Sequence, residues 1–410
     1  MTRSTDLIHH AYLPPSEFEA PQVGVFKAST VIFPNVAAMR TREWMDKSAY
    51  TYGLHGTPTT FTLEERLATL EGGTHCILTP SGLAAIAHVD FALLKTGDEV
   101  LIPDNAYAPN KSLAEGELAQ FGITHQIYDA LDVNDLAARI TPRTRLVWLE
   151  AAGSVTMEFP DLVALVQLCK ARGVMCALDN TWGAGLAFNA FDLTPGQGAQ
   201  GQPTLGVDLT IHALTKYPSG GGDVLMGSIV TRSDDLARVL KLSHMRLGTG
   251  VGANDAEMVL RSLASMPLRY KAQDMAARAL ATWCTSQTAF SQVLHPALTK
   301  APGHVHWQQL CVTPQEPEGL AAGIFSVVMD ARFPAHAVDA FCDSLKLFKI
   351  GYSWGGPMSL VMPYNMASSR QRSTQHMQRG RVVRFCIGLE DVNDLQRDIL
   401  QALQQANLQS

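Results

Sequence analysis

Between residues 75 and 212 the chain repeats one pattern, a short apolar run followed by a longer polar-apolar stretch, and few architectures accommodate it. The runs are HCILTP (75–80), EVLIP (99–103), HQIYD (125–129), RLVWLE (145–150), VMCALD (174–179) and VDLTIH (207–212). Most are separated by helical stretches such as 83–94 and 162–171, and this alternation reads as βαβ units. Strands joined through helices lie parallel and are covered on both faces, so the pattern predicts an α/β domain with a mostly parallel sheet. Ahead of the first strand, Thr62 and Glu65 form a capping-box signature, Leu63, Leu67 and Leu70 share a face, and Gly72-Gly73 stops the predicted helix.

After GTGVGAND (248–255) the character changes. A long helical pattern over 256–290 precedes strand-like GIFSVVMD (323–330) and RVVRFCIG (381–388), with helices near 335–345 and 391–406. This predicts a second, smaller α+β domain. Residues 1–58 show no clear period and read as an arm lying on a neighbouring subunit. The expected division is therefore an arm over 1–58, a large domain over 59–253 and a C-terminal domain over 254–410. TPGQGAQGQPT (194–204) reads as an exposed loop without a catalytic role.

A chain of 410 residues with 46% hydrophobic side chains has the means to fill more than one core, which excludes disorder. Its net charge of −6 and the lack of a Lys/Arg cluster argue against a nucleic-acid partner. No uninterrupted apolar stretch is long enough for a membrane span, and MTRSTDLIHHAYLPP has no apolar h-region. Seven scattered cysteines without a C-x-x-C pair argue against a disulfide framework and a zinc site. A reducing cytoplasm is the expected location.

Ligands of an open parallel sheet bind beyond the carboxyl ends of its strands, so the residues following each run are the candidates for chemistry. Ser81-Gly82-Leu83 opens a helix, where free N–H groups suit a phosphate, or where Ser81 simply caps. This turn carries neither G-x-x-x-x-G-K-[ST] nor G-x-G-x-x-G. Tyr107 is either a packing ring or an aromatic wall at the rim of the cleft. Asp179 ends an apolar run, as an Asx-turn residue or as a buried acid that needs a cationic partner. Lys216, after the sixth run, either snorkels from the sheet or sits partly buried with a lowered pKa, able to form a Schiff base. His212 reads as a hydrogen-bonded strand residue. In RVVRFCIG, Arg384 shares a face with Val382 and Cys386 and wants a carboxylate, structural or from a substrate. The glycine-ended loop Tyr352-Ser353-Trp354-Gly355-Gly356 can form another wall.

A phosphate cup, a carboxylate, a lysine and a stacking tyrosine are the parts of a pyridoxal phosphate site. Their order and wording, in TYGLHGTPT, LEGG, NAYAPN, AGSVTME, LDNTWGAG, TKYPSGGGD, GYSWGG and IGLEDVNDL, resemble the Cys/Met-metabolism family of pyridoxal-phosphate enzymes from about residue 50 to the end. The resemblance implies the type I, aspartate-aminotransferase-like fold: a large domain with a mostly parallel sheet and a smaller C-terminal α+β domain. It implies that Lys216 carries pyridoxal 5'-phosphate, Asp179 pairs with the ring nitrogen, and Tyr107 stacks on the ring. It further implies that Gly82, Leu83 and Thr215 hold the phosphate, helped by Tyr52 from a neighbouring subunit of a homotetramer. Arg384, Ser353 and Trp354 would bind the carboxylate of a small amino-acid thioether, with Lys216 and Tyr107 moving protons. The implied activity is β-elimination from L-cystathionine. The alternatives are a γ-acting relative, another C–S lyase, or a regulatory protein that binds the cofactor without catalysis.

One position departs from the pattern. The family's Tyr-x-Arg element reads Tyr52-Gly53-Leu54, so a leucine with no charge and no donor stands where an arginine would bind phosphate. Cofactor binding is expected to be weaker than in a relative that has the arginine, unless His55 or another residue substitutes. Titration of the cofactor-free protein before and after Leu54→Arg checks this; unchanged affinity in the variant would count against it.

Overall fold

The computed structural model describes residues 20–41, 43–195, 204–366, 370–371 and 376–408. Residues 1–19 of the arm and 196–203 of the predicted loop lie outside the described residues. The six apolar runs form β1 (His75–Thr79), β2 (Glu99–Pro103), β3 (Thr124–Tyr128), β4 (Thr144–Glu150), β5 (Met175–Asp179) and β6 (Leu209–Ala213). A seventh strand, β7 (Gly227–Thr231), has only Ile229 and Val230 as apolar side chains, which is why periodicity passes over it. The spatial order is β1-β7-β6-β5-β4-β2-β3, and β7 runs antiparallel to both its neighbours while β6 through β3 are mutually parallel.

β4 shows why the runs read as continuous rather than alternating. Leu146 and Trp148 enter the core cluster on one face, while Val147 and Leu149 enter the cluster on the other. Both faces are dry because helices cover both. One of these helices, Pro58–Glu71, starts earlier than expected. Its capping box is formed by Thr57 and Thr60, with proline at the start of the helix, and Thr62 lies inside, its hydroxyl donating to Pro58 O at 2.7 Å. Proline's preset φ and missing N–H make the earlier start the better one.

The long pattern over 256–290 resolves into two helices, Ala253–Leu263 and Met266–Cys284, followed by β8 (Phe290–Leu294). The break at Ala264-Ser265 stands just before Pro267, which can neither donate to a preceding turn nor sit in a helix interior. A second sheet contains β8, β9 (Ile324–Met329), β10 (Lys349–Ile350), β11 (Leu360–Tyr364) and β12 (Val382–Cys386), in the order β10-β11-β12-β9-β8. Only the β10–β11 pair is parallel. As the period of two predicts, Val383, Phe385 and Ile387 fill the core behind this sheet, while Val382 and Cys386 face the core of the large sheet. That orientation carries Arg384 toward the carboxyl ends of β4, β5 and β6. Among the described residues, no helix is long and apolar enough to cross a membrane.

The second sheet also contains a pH-sensitive element of stability. His295, just after β8, is fully enclosed, and burial, reinforced by Arg278, holds its imidazole down at about 3. In the unfolded chain it takes a proton near pH 6.5. Its neutral form therefore gives full stability above about pH 6.5, and that contribution is lost as pH falls toward 3, at about 1.4 kcal/mol per pH unit. Urea unfolding should show His295→Asn less stable at pH 7 but with a shallower decline, by about 3 kcal/mol, between pH 6.5 and 4. Parallel declines in the two proteins would rule this out.

Candidate active site

Strand ends and turns bring the predicted residues, Tyr52 excepted, to one edge of the large sheet. The helix Gly82–Leu93 begins there, with Ser81 Oγ accepting from Ala84 N at 3.0 Å, so the N–H groups of Gly82 and Leu83 precede the first intrahelical bonds. Gly82 packs directly on β6: a Cβ there would lie 2.5 Å from that of Ala213. Only glycine lets the helix start come this close to the strand that leads to Lys216.

Lys216 follows β6 in a turn closed by its N–H on Ala213 O at 3.0 Å. Its Nζ stands 5.4 Å from the centroid of the Trp354 ring. Burial, and then the Arg384 charge, lower its pKa against the opposing pull of Asp179. The amine is therefore free at a lower pH than that of an exposed lysine. The loop bearing Trp354 reaches it because Gly355, at φ +76°, lies where any Cβ would be 2.7 Å from Tyr217 N and 2.9 Å from the Lys216 carbonyl carbon.

Asp179 Oδ1 accepts from Thr181 N at 3.0 Å, so the Asx turn is present, in a half-buried acid. Burial raises its pKa, while the Thr181 bonds, His212 and Lys216 pull it down. His212 is a strand residue as expected: Nδ1 lies 3.0 Å from the buried Glu71 carboxylate, which also accepts from Asn180 Nδ2 at 2.6 Å. The Tyr107 phenol is held above its usual pKa by burial and by the negative fields of Asp179 and Glu150. It keeps its proton at neutral pH and can donate one, but it is no base there. The Thr215 hydroxyl is engaged with the Met226 main chain through long bonds of 3.3 and 3.4 Å.

Arg384 on β12 is 4% exposed, and its Nη1 donates to Ser154 O at 3.4 Å. Its guanidinium lies 5.4 Å from the Trp354 ring centroid and 5.3 Å from that of Tyr364. Among the described residues no carboxylate pairs with it. Arg384 Nε, Ser353 Oγ and Trp354 Nε1 are all buried without a hydrogen-bond partner. Such donors are costly unless something completes them. Three of them on two neighbouring segments make a cradle for an anionic, acceptor-bearing ligand.

Tyr52 is not brought to this cluster. It is 44% exposed on the arm, bridged to Thr30, with Oη 3.5 Å from Ser29 Oγ. Next to it Leu54 packs toward Gly250, where a Cβ would come within 2.9 Å of Leu54 Cδ1, and His55 bonds Thr51 Oγ1 at 2.8 Å and stacks on Trp44. Two residues at the site escape sequence reasoning. Tyr364 lies on β11, whose LVMPY carries a proline that masks a strand. Glu150 ends β4 just as Asp179 ends β5, and the rule that singled out Asp179 applies to it equally.

The pieces fit pyridoxal 5'-phosphate: helix N–H groups for its phosphate, an amine for its aldehyde, a carboxylate for its ring nitrogen and a ring to stack upon. The comparisons agree. A model of Cys/Met metabolism PLP-dependent enzymes matches residues 4–404. The chain is 36% identical over 385 residues to a cystathionine beta-lyase of Bordetella avium, covering 93% of this chain and 91% of the relative. It is 32% identical over 355 residues to an L-alanine/L-glutamate racemase of Wolbachia pipientis wMel, covering 86% and 82%. Its fold is similar to the crystal structure of cystathionine gamma synthase from Xanthomonas oryzae pv. oryzae, with a TM-score of 0.82, 26% identity, and coverage of 96% of this chain and 95% of that one. A single family description thus covers nearly the whole sequence, and this chain belongs to the Cys/Met-metabolism family of enzymes that depend on pyridoxal 5'-phosphate.

Proposed function

We propose that the protein is a carbon–sulfur lyase that cleaves L-cystathionine by β-elimination, giving homocysteine, pyruvate and ammonia. The observation that carries this reading is a buried guanidinium without an acidic partner among the described residues, placed with a half-buried lysine against one indole ring. Arg384 binds the α-carboxylate of the amino acid, with Ser353 Oγ and Trp354 Nε1 as further donors, and so aims the α-hydrogen toward the Lys216 amine. Pyridoxal 5'-phosphate, when bound, supplies the electron sink for charge that develops at the α-carbon. Asp179 would hold the ring nitrogen in its cationic form, and Gly82, Leu83 and Thr215 would hold the phosphate. Lys216 Nζ takes the α-proton. Lys216 or the Tyr107 phenol then protonates the departing sulfur. Water completes the breakdown of the three-carbon fragment.

Support for the β-lyase reading comes from the wording Tyr352-Ser353-Trp354-Gly355-Gly356 and from the Bordetella relative. The neighbouring γ-synthase structure and the racemase relative define the rivals. Product analysis with L-cystathionine decides among them. Pyruvate with homocysteine is the expected result; 2-oxobutyrate with cysteine, or only racemised amino acid from L-alanine, would overturn it. The half-exposed Tyr52, on an arm with Val25, Phe26 and Ile32 also exposed, supports a homotetramer in which this tyrosine reaches a neighbouring subunit's cofactor. Seven buried, unpaired thiols support a cytoplasmic location.

A further inference from the structure

Glu150 is an acid at this edge of the sheet with no task so far. It is the last residue of β4, 8% exposed, and its register partner on β5 is Asp179. Register partners on parallel strands project to the same face, so the two carboxyl groups stand side by side. Among the described residues, no lysine, arginine or histidine pairs with Glu150. The cation whose field reaches it, Lys111, donates to Asp104 O at 2.9 Å, and the other nearby acid, Glu158, is joined to Arg370. Of two carboxyl groups this close, Asp179 has His212 and Lys216 to oppose its charge and keeps it, while the more deeply buried Glu150 gives its charge up. Burial and the charge of Asp179 accordingly push the Glu150 carboxyl well up.

The hydrogen bond that Glu150 does make is specific. Its Oε2 accepts from the main-chain N–H of Tyr107 at 2.7 Å. Tyr107 stands at the N-terminal cap of the short helix Ala108–Leu113 and makes no capping bond with its own side chain. The loop carrying the ring is thus tied to the end of β4 through this carboxyl. We infer that Glu150 is a positioning residue: as an uncharged acid it fixes the main chain of Tyr107 and leaves the negative charge of the carboxyl pair on Asp179. The inference rests on Tyr107 covering the cofactor, and it is independent of which thioether is cleaved.

The test uses the full-length, cofactor-loaded protein and the variants Glu150→Ala, Glu150→Gln, Tyr107→Ala and the double variant Glu150→Ala/Tyr107→Ala. Two readouts are followed: the visible circular dichroism of the bound cofactor, which reports the asymmetry of its surroundings, and kcat/KM. Glu150→Ala should weaken the dichroic band and lower kcat/KM about tenfold or more. Glu150→Gln, whose amide oxygen can still accept from Tyr107 N–H, should keep both within about threefold, and its visible pH titration should overlay the parent's to within about 0.3 unit. In the Tyr107→Ala background, adding Glu150→Ala should change either readout less than about twofold. A shift of about one pH unit or more in Glu150→Gln would show an ionised Glu150 and overturn the inference. So would a Glu150→Ala loss as large without Tyr107 as with it. Should Glu150→Ala fail to fold, the glutamine titration decides alone. Should the parent cleave no thioether, the dichroism still decides, so failure of the lyase reading and failure of this one are told apart.

Discussion

Replacing Lys216 by alanine is expected to lower turnover at least about a thousandfold, because in the proposed function one amine serves both as attachment point for the cofactor and as the base at the α-carbon. Borohydride reduction followed by peptide mass analysis should find the cofactor fixed to the Lys216 peptide of the parent and absent from the variant. The fold should survive. The ammonium is disfavoured by burial and by Arg384, so the alanine protein loses no strong ion pair and should melt within a few degrees of the parent. Turnover within tenfold of the parent would remove Lys216 from the chemistry, whatever the substrate.

Arg384→Leu is expected to reduce kcat/KM by about a hundred- to a thousandfold, mostly through KM, in line with about 3–4 kcal/mol for losing one partner of a buried, hydrogen-bonded charge pair. Arg384→Lys should recover only part of this, since an ammonium can neither fork onto a carboxylate nor lie flat against the Trp354 and Tyr364 rings. A substrate-like amine lacking the carboxylate separates this role from a packing role: its binding should be nearly equal in parent and leucine variant. A merely structural arginine would weaken both ligands alike. Without ligand the leucine protein should be as stable as the parent or more so. The parent buries a guanidinium with one long hydrogen bond and no carboxylate among the described residues, and leucine removes that burden. In the proposed function the substrate carboxylate completes this under-bonded charge.

The strands that the sequence reveals are those whose both faces are dry. RLVWLE and VMCALD are visible as unbroken apolar runs because helices cover each side of the large sheet. β7, β8 and β11 were invisible for the opposite reason: GSIVT, FSQVL and LVMPY are short, interrupted by small or polar residues or proline, and acquire strand geometry only from the ladders beside them. The helix pattern over 256–290 failed at Pro267, where apolar spacing continues across a break in hydrogen bonding.

The same division holds at the site. Lys216, Asp179, Tyr107 and the Ser81-Gly82-Leu83 turn are legible because the carboxyl ends of parallel strands are local features, found by counting from each apolar run. Arg384 was legible to the level of its face, since a period of two places it opposite Phe385. That it meets the same indole as Lys216, 168 positions away in the chain (384 − 216), is a property of two sheets packed against each other. Whether a buried charge finds an acid or waits for a ligand, and whether neighbouring carboxyls such as Glu150 and Asp179 share a burden, depend on through-space distance and dielectric. Local sequence sets the conformation of each segment, because backbone preferences and hydrophobic period act over a few residues. The ionisation and the pairing of the groups those segments carry are decided only when the segments meet.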